Sequence, residues 1–130
     1  MIELVSVSEL KHIEKFSESR VKWLQEKITD EGVWTQPLTI SKDHSLVMDG
    51  QHRMEVAKNL GLSVVPCICF DYREVTIWSL RASHEVNVDL VIEKALTGDI
   101  YPYKTVKHSY PAPIPQCEIP LSELLSGVVK

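Results

Sequence analysis

The chain has 130 residues, 44% of them apolar and 25% charged, with a net charge of -4 and a pI of about 5.7. That size and balance fit one globular domain that buries its core without disulfide or metal staples. The acidic total argues against the basic face of most nucleic-acid binders, no apolar run is long enough to span a bilayer, and the start MIELVSVSELKH lacks a signal-peptide pattern.

In chain order, the pattern alternates between strands and helices. Ile2 to Val7 is rich in β-branched residues and predicts a first strand. Ser17 to Glu31 predicts a helix: Val21, Leu24 and Ile28 form one apolar stripe, Ser17 is placed to cap it and Gly32 to stop it. Pro37 to Ile40 and Leu46 to Met48 predict two short strands joined by the polar turn Lys42 to Ser45, with His44 exposed in it. A second helix runs from about Gln51 to Leu60, ended by Gly61. Val64 to Phe70 is almost wholly apolar and predicts a buried strand. Val75 to Leu80 predicts another strand, and Val88 to Thr97 a third helix with Gly98 just beyond it. From about residue 99 the chain changes character. Five of the seven prolines lie between Tyr101 and Pro120, which predicts a long irregular or extended segment before a short terminal helix at Leu121 to Leu125. Trp34 and Trp78 are expected as packing residues, Trp78 with the alternative of lining an adenine or substrate pocket, and Cys67 and Cys69 as reduced, packed thiols of a cytoplasmic protein.

The junction between the second predicted strand and the second helix concentrates chemistry. Asp49-Gly50-Gln51-His52-Arg53 stands there. Gly50 permits a tight turn. The first-turn amides of the following helix lack intrahelical partners, and the helix dipole adds positive potential. With the donors of His52 and Arg53, they form a site for an anion such as a phosphate group. A carboxylate at Asp49 suits such a site when it holds a metal ion that bridges phosphates, or orients a hydroxyl. The same five residues also fit a plainer arrangement, in which Asp49 caps the helix and Arg53 pairs with a surface acid.

The wider stretch GVWTQPLTISKDHSLVMDGQHRMEVAKNLGLSVVPCICFDY resembles the ParB/sulfiredoxin-like fold. The resemblance is ordered over Ser17 to Tyr72 and implies a compact α/β (α+β) domain, a mixed sheet with flanking helices, over residues 1–130. Sulfiredoxins place a catalytic cysteine just before the His-Arg pair, where this chain has Gln51. ParB proteins carry G-E-R-R at the corner and read DNA through a separate helix-turn-helix domain, for which the expectation here has no place. Free serine kinases carry D-G-H-H-R, which this chain matches with Gln51 in place of a histidine.

A later segment resembles the same kinases. Their motif G-x-x-x-P-P-K-T-T-R-H is matched at Gly98, Pro102, Lys104, Thr105 and His108, while Tyr103, Val106 and Lys107 replace a proline, a threonine and an arginine. The resemblance implies that this loop grips the amino-acid substrate through Lys104, Thr105, His108 and, less centrally, Lys107. Lysine in place of arginine loses the bidentate hold on a carboxylate.

The resemblance therefore implies a small-molecule kinase with ATP or ADP as donor, Mg2+ as metal and free L-serine or a relative as acceptor. Gly50, Gln51, His52 and Arg53 would bind phosphates, and Asp49 would serve catalysis and the metal. The kinases' base is a glutamate before the first helix, so Glu14 is the choice here, with Glu18 the other candidate. Nucleic acid and membrane are not expected partners, and the oligomeric state is open. Two rivals share the fold: a ParB-type nucleotide-binding regulator and a ligand-binding domain without catalysis. The phosphate loop G-x-x-x-x-G-K-[ST] and zinc-type ligand spacing are both absent.

Overall fold

The computed structural model describes residues 1–126. Its main sheet has four strands in the order β1-β5-β3-β4: β1 Ile2–Ser6, β3 Leu38–Ser41, β4 Val47–Asp49 and β5 Val64–Phe70. β5 runs antiparallel to β1 (Ile2 opposite Ile68) and parallel to β3 (Leu38 opposite Cys67). Flanked on both edges, β5 has its centre, Val65 to Ile68, buried, as its apolar sequence predicts. The mixed α/β expectation is met.

Helix α1, Glu18–Glu31, begins at Ser17, whose hydroxyl accepts the Arg20 N–H, and ends at Gly32 in the left-handed conformation. It packs on α2, Gln51–Asn59. The stripe Val21, Leu24 and Ile28 joins Met54, Val56 and Ala57 in one apolar cluster over β3 and β5. A second cluster gathers Ile13, Leu46, Met48, Tyr72, Val91 and Tyr101 beneath α3, Val88–Thr97. The Asn87 side chain caps α3 by accepting the Leu90 N–H.

β4 lies between the two clusters. Val47 points into the first, Leu46 and Met48 into the second, following the two-residue period of a strand. Both faces are therefore committed to packing up to Met48. The next residue, Asp49, is exposed, and the chain turns there into α2. A strand clamped on two sides thus delivers the D-G-Q-H-R corner.

The proline-rich stretch is extended in part, as expected. β7, Val106–Ser109, pairs antiparallel with β6, Thr76–Ser79, and β8, Ile119–Pro120, pairs with β2, Val33–Trp34, so the arm folds back on its own chain. β7 holds no proline and β8 holds one at its last position, Pro120, and in β7 Val106 and His108 alternate inward against exposed Lys107 and Ser109. Trp34 is buried as expected, but Trp78 is 41% exposed, because it faces outward from the two-stranded ribbon. The terminal helix α4, Leu121–Ser126, anchors through Leu124. Cys67, Cys69 and Cys117 are all free thiols. Among the described residues no helix is long and apolar enough to cross a membrane.

Candidate active site

Gly50 makes the corner. Its φ of 116° is left-handed, and a Cβ there would stand 2.4 Å from Leu38 Cδ2, inside the core. No side chain caps α2, so its first-turn amides stay available. Asp49 is fixed before the turn by a closed set of hydrogen bonds. Its backbone N–H donates to Thr39 Oγ1 (3.0 Å), the Thr39 hydroxyl meets the Tyr110 hydroxyl (2.7 Å), and Tyr110 donates to the Asp49 carboxylate. Asp49 therefore does not cap α2; its carboxylate is held outward beside the helix start.

His52 and Arg53 follow on the first turn. His52 Nε2 accepts the backbone N–H of Ser17 at 3.0 Å, so the ring's proton sits on Nδ1 as a donor. Burial lowers the His52 pKa, and Arg20, His12, Arg53 and Lys104 lower it further. The ring is a neutral donor in a positive setting. Arg53 donates to the Gln36 side chain. Burial lowers its pKa, and the charge of Asp49 opposes that effect. The expected surface acid opposite Arg53 is absent among the described residues; Asp49 across the corner is the anion it senses.

Gln51, expected to face the phosphates, instead turns inward and is 4% exposed. Its amide donates to the Val47 carbonyl (2.6 Å), and its carbonyl oxygen faces His12 Nδ1 (2.6 Å). His12 Nε2 meets Glu55 (2.7 Å), which Lys58 also pairs. This chain of contacts ties the segment before α1 to α2. Only the backbone N–H of Gln51 remains at the corner.

That segment carries Glu14. Its Oε2 accepts the backbone N–H groups of Thr105 and Val106, each at 3.0 Å, which leaves Oε1 without a hydrogen bond among the described residues. Lys15 and Tyr101 extend the contact through backbone hydrogen bonds. Burial raises the Glu14 pKa, the two amides pull it back, and the charge of Asp49 pushes it up again. Asp49 is therefore near enough for its charge to act on Glu14. Glu18, by contrast, sits exposed at the first position of α1.

The second motif loop is held by Glu14 and by Arg81, whose guanidinium donates twice to the Tyr103 carbonyl (3.1 and 2.6 Å). Lys104 is exposed with φ 54°, and its charge reaches His52. Thr105 is buried and its hydroxyl donates to the Pro102 carbonyl, so its side chain shapes the loop. Lys107 lies on the exposed side of β7. His108 faces inward, with Nε2 2.7 Å from the Tyr72 hydroxyl and its ring stacked on Tyr110. Burial lowers its pKa to about 4.

The fold thus lets the charge of Asp49 act on Glu14 and Arg53, and those of Arg53 and Lys104 act on His52, while Gln51, Thr105 and His108 are buried and Lys107 is exposed. Beside Asp49 and Arg53 opens a cleft of about 250 Å³, walled by Pro37, Thr39, Tyr110 and the proline-rich residues Ile114 to Gln116. Thr39, Tyr72, Arg81 and Tyr110 carry no local sequence signal for such a role. Tyr110 follows the second motif by only two residues, which is the one clue available.

No family model matches the chain. It is 40% identical over 73 residues to an ATP-dependent L-serine kinase of Staphylothermus marinus, a match spanning 53% of this chain and 29% of the relative. The corresponding protein of Desulfurococcus mucosus is 33% identical with the same coverage. The chain thus spans under a third of the length of the curated relatives it matches. Among solved structures, a free serine kinase in complex with AMP superposes with a TM-score of 0.86 at 13% identity, over 95% of this chain and 93% of that one. A conserved hypothetical protein from Pyrococcus furiosus gives 0.84 at 12% identity, over 95% and 97%. SbnI from Staphylococcus aureus, truncated at its C-terminus, gives 0.84 at 12%, over 95% and 88%. The chain therefore has the fold of the free serine kinases.

Proposed function

We propose that the chain is a cytoplasmic kinase that transfers the terminal phosphoryl group of ATP to the hydroxyl of free L-serine or a close relative. One observation carries this reading. Half-buried Glu14 holds the second motif loop by two backbone amides and keeps Oε1 without a hydrogen bond among the described residues, within reach of the charge of Asp49 at the uncapped start of α2. The two curated relatives, named as ATP-dependent L-serine kinases, support the donor and the acceptor. Three free cysteines suit a reducing compartment.

The residues divide the work. The α2 amides, His52 Nδ1–H and Arg53 take the phosphates, since all three are donors on one turn. Glu14 takes the acceptor's hydroxyl proton on its free Oε1, and burial makes it a stronger base than an exposed glutamate. Lys104 adds positive charge where the phosphoryl group crosses. Magnesium suits a single outward-held carboxylate, because this ion uses one or two carboxylates and completes its shell with phosphates and water. Asp49, held outward by Tyr110, is the carboxylate that would hold it. When bound, the ion neutralises phosphate charge.

The test is a product screen by phosphorus NMR with magnesium, ATP or ADP, and a panel of free amino acids led by L-serine. A phosphomonoester formed with one acceptor and lost in Glu14→Gln is the expected result. Nucleotide binding without product from any acceptor would overturn the kinase reading in favour of a binding module.

A further inference from the structure

Tyr72 follows β5 in a short 3-10 turn and is 4% exposed. Its hydroxyl has one hydrogen-bond partner among the described residues, His108 Nε2 at 2.7 Å. A buried phenol that only accepted there would leave its proton unpaired, so Tyr72 donates. That choice fixes the tautomer: His108 carries its proton on Nδ1. This nitrogen is buried and has no partner. An orphaned N–H in a ring that is 6% exposed is costly unless something supplies an acceptor. The His108 ring stacks on Tyr110, whose hydroxyl donates to the Asp49 carboxylate, so the Tyr72–His108 pair lies directly behind Asp49.

We infer that Tyr72 is a positioning residue: it holds His108 as an Nδ1–H donor for a carboxylate oxygen of the amino-acid acceptor. This rests on the kinase reading above. A neutral donor takes such an oxygen without a charge buried in the empty protein. It also suits a chain whose Lys107 lies on the outer side of β7.

The experiment has two arms. Two-bond proton–nitrogen NMR of histidine-labelled protein reads the tautomer and needs no activity. The expected pattern has a protonated Nδ1 and a bare Nε2 at His108, replaced by a tautomer mixture in Tyr72→Phe, and the Nδ1 signal moves when L-serine is added. A protonated Nε2 in the wild type, or no movement with L-serine, overturns the inference even if the protein proves to have no kinase activity. In the kinetic arm, Tyr72→Phe raises KM for the acceptor about tenfold and leaves KM for ATP unchanged, the loss of roughly one hydrogen bond. His108→Asn keeps a donor at the Nδ1 position without a tautomer to fix. Adding Tyr72→Phe to it then costs nothing further. A full additional loss in the double variant would show that Tyr72 acts through packing alone and would sink the inference, with the kinase reading untouched.

Discussion

Glu14 Oε2 accepts the Thr105 N–H at 3.0 Å across 91 positions of sequence. One carboxylate therefore ties the segment before α1 to the second motif loop, and in the proposed reaction it would also be the base. The two jobs are separable. Glu14→Gln keeps an oxygen for the loop amides but removes the base, and should lower kcat about 10²–10⁴-fold with little change in the acceptor's KM. Glu14→Ala removes both and should raise that KM as well. Since burial raises the Glu14 pKa, the acid limb of kcat/KM in the wild type should fall at a pH above the usual 4.5 of a glutamate and be absent in Glu14→Gln. Initial rates against pH check both points, and a Gln variant within about tenfold of wild type removes Glu14 as the base.

His108 links stability to acid. Its pKa falls from 6.5 to about 4 on folding because the ring is buried. Between those values the unfolded chain binds more protons, so stability is lost as pH falls from about 6.5 to about 4 and levels off below. The full effect is roughly 3 kcal/mol. Urea unfolding of wild type and His108→Asn at pH 7.5, 5.5 and 4 separates this from carboxylate titration, as only the wild type should show the steeper decline.

Arg53 tests the phosphate corner. Arg53→Ala should weaken ATP binding about 10- to 100-fold, the worth of one hydrogen bond to a charged group. Arg53→Lys should recover part of it, because charge returns but the planar fork does not. Titration calorimetry reads both. Unchanged affinity in Arg53→Ala would place the phosphates elsewhere.

The elements that speak through local physics are legible in the sequence. Ser17 and Gly32 bracket α1 as cap and stop, β5 is apolar throughout, and Asp49-Gly50 marks the turn at which β4 ends. What escapes is set by distant partners. Gln51 reads as a phosphate ligand from its place on the helix, yet it turns inward because His12, 39 positions away, and the Val47 carbonyl offer both of its amide groups a bond. β7 hides because its inward residues are Val106 and His108. A histidine does not announce a buried position, and the partners that hold it there are Tyr72 on a separate turn and the ring of Tyr110. Tyr110 and Thr39, 71 positions apart, fix Asp49 through hydroxyls that no local pattern marks.

Gly50 is the position where the site and the fold depend on one missing carbon. Gly50→Ala forces a left-handed φ of 116° on an L side chain and drives its Cβ to 2.4 Å from Leu38 Cδ2. Leu38 is fully buried, so it has no open side to yield toward. Backbone strain of about 1–3 kcal/mol adds to overpacking of about 1–3 kcal/mol, and the variant should lose roughly 2–6 kcal/mol in urea unfolding. The nearest relief is a shift of the turn, which would carry the α2 amides, His52 and Arg53 away from Asp49. ATP binding should therefore fall further than in Arg53→Ala, even at temperatures where the variant remains folded by circular dichroism. A folded Gly50→Ala protein with wild-type ATP affinity would show that the corner tolerates displacement, and so that its backbone amides are not what holds the phosphates.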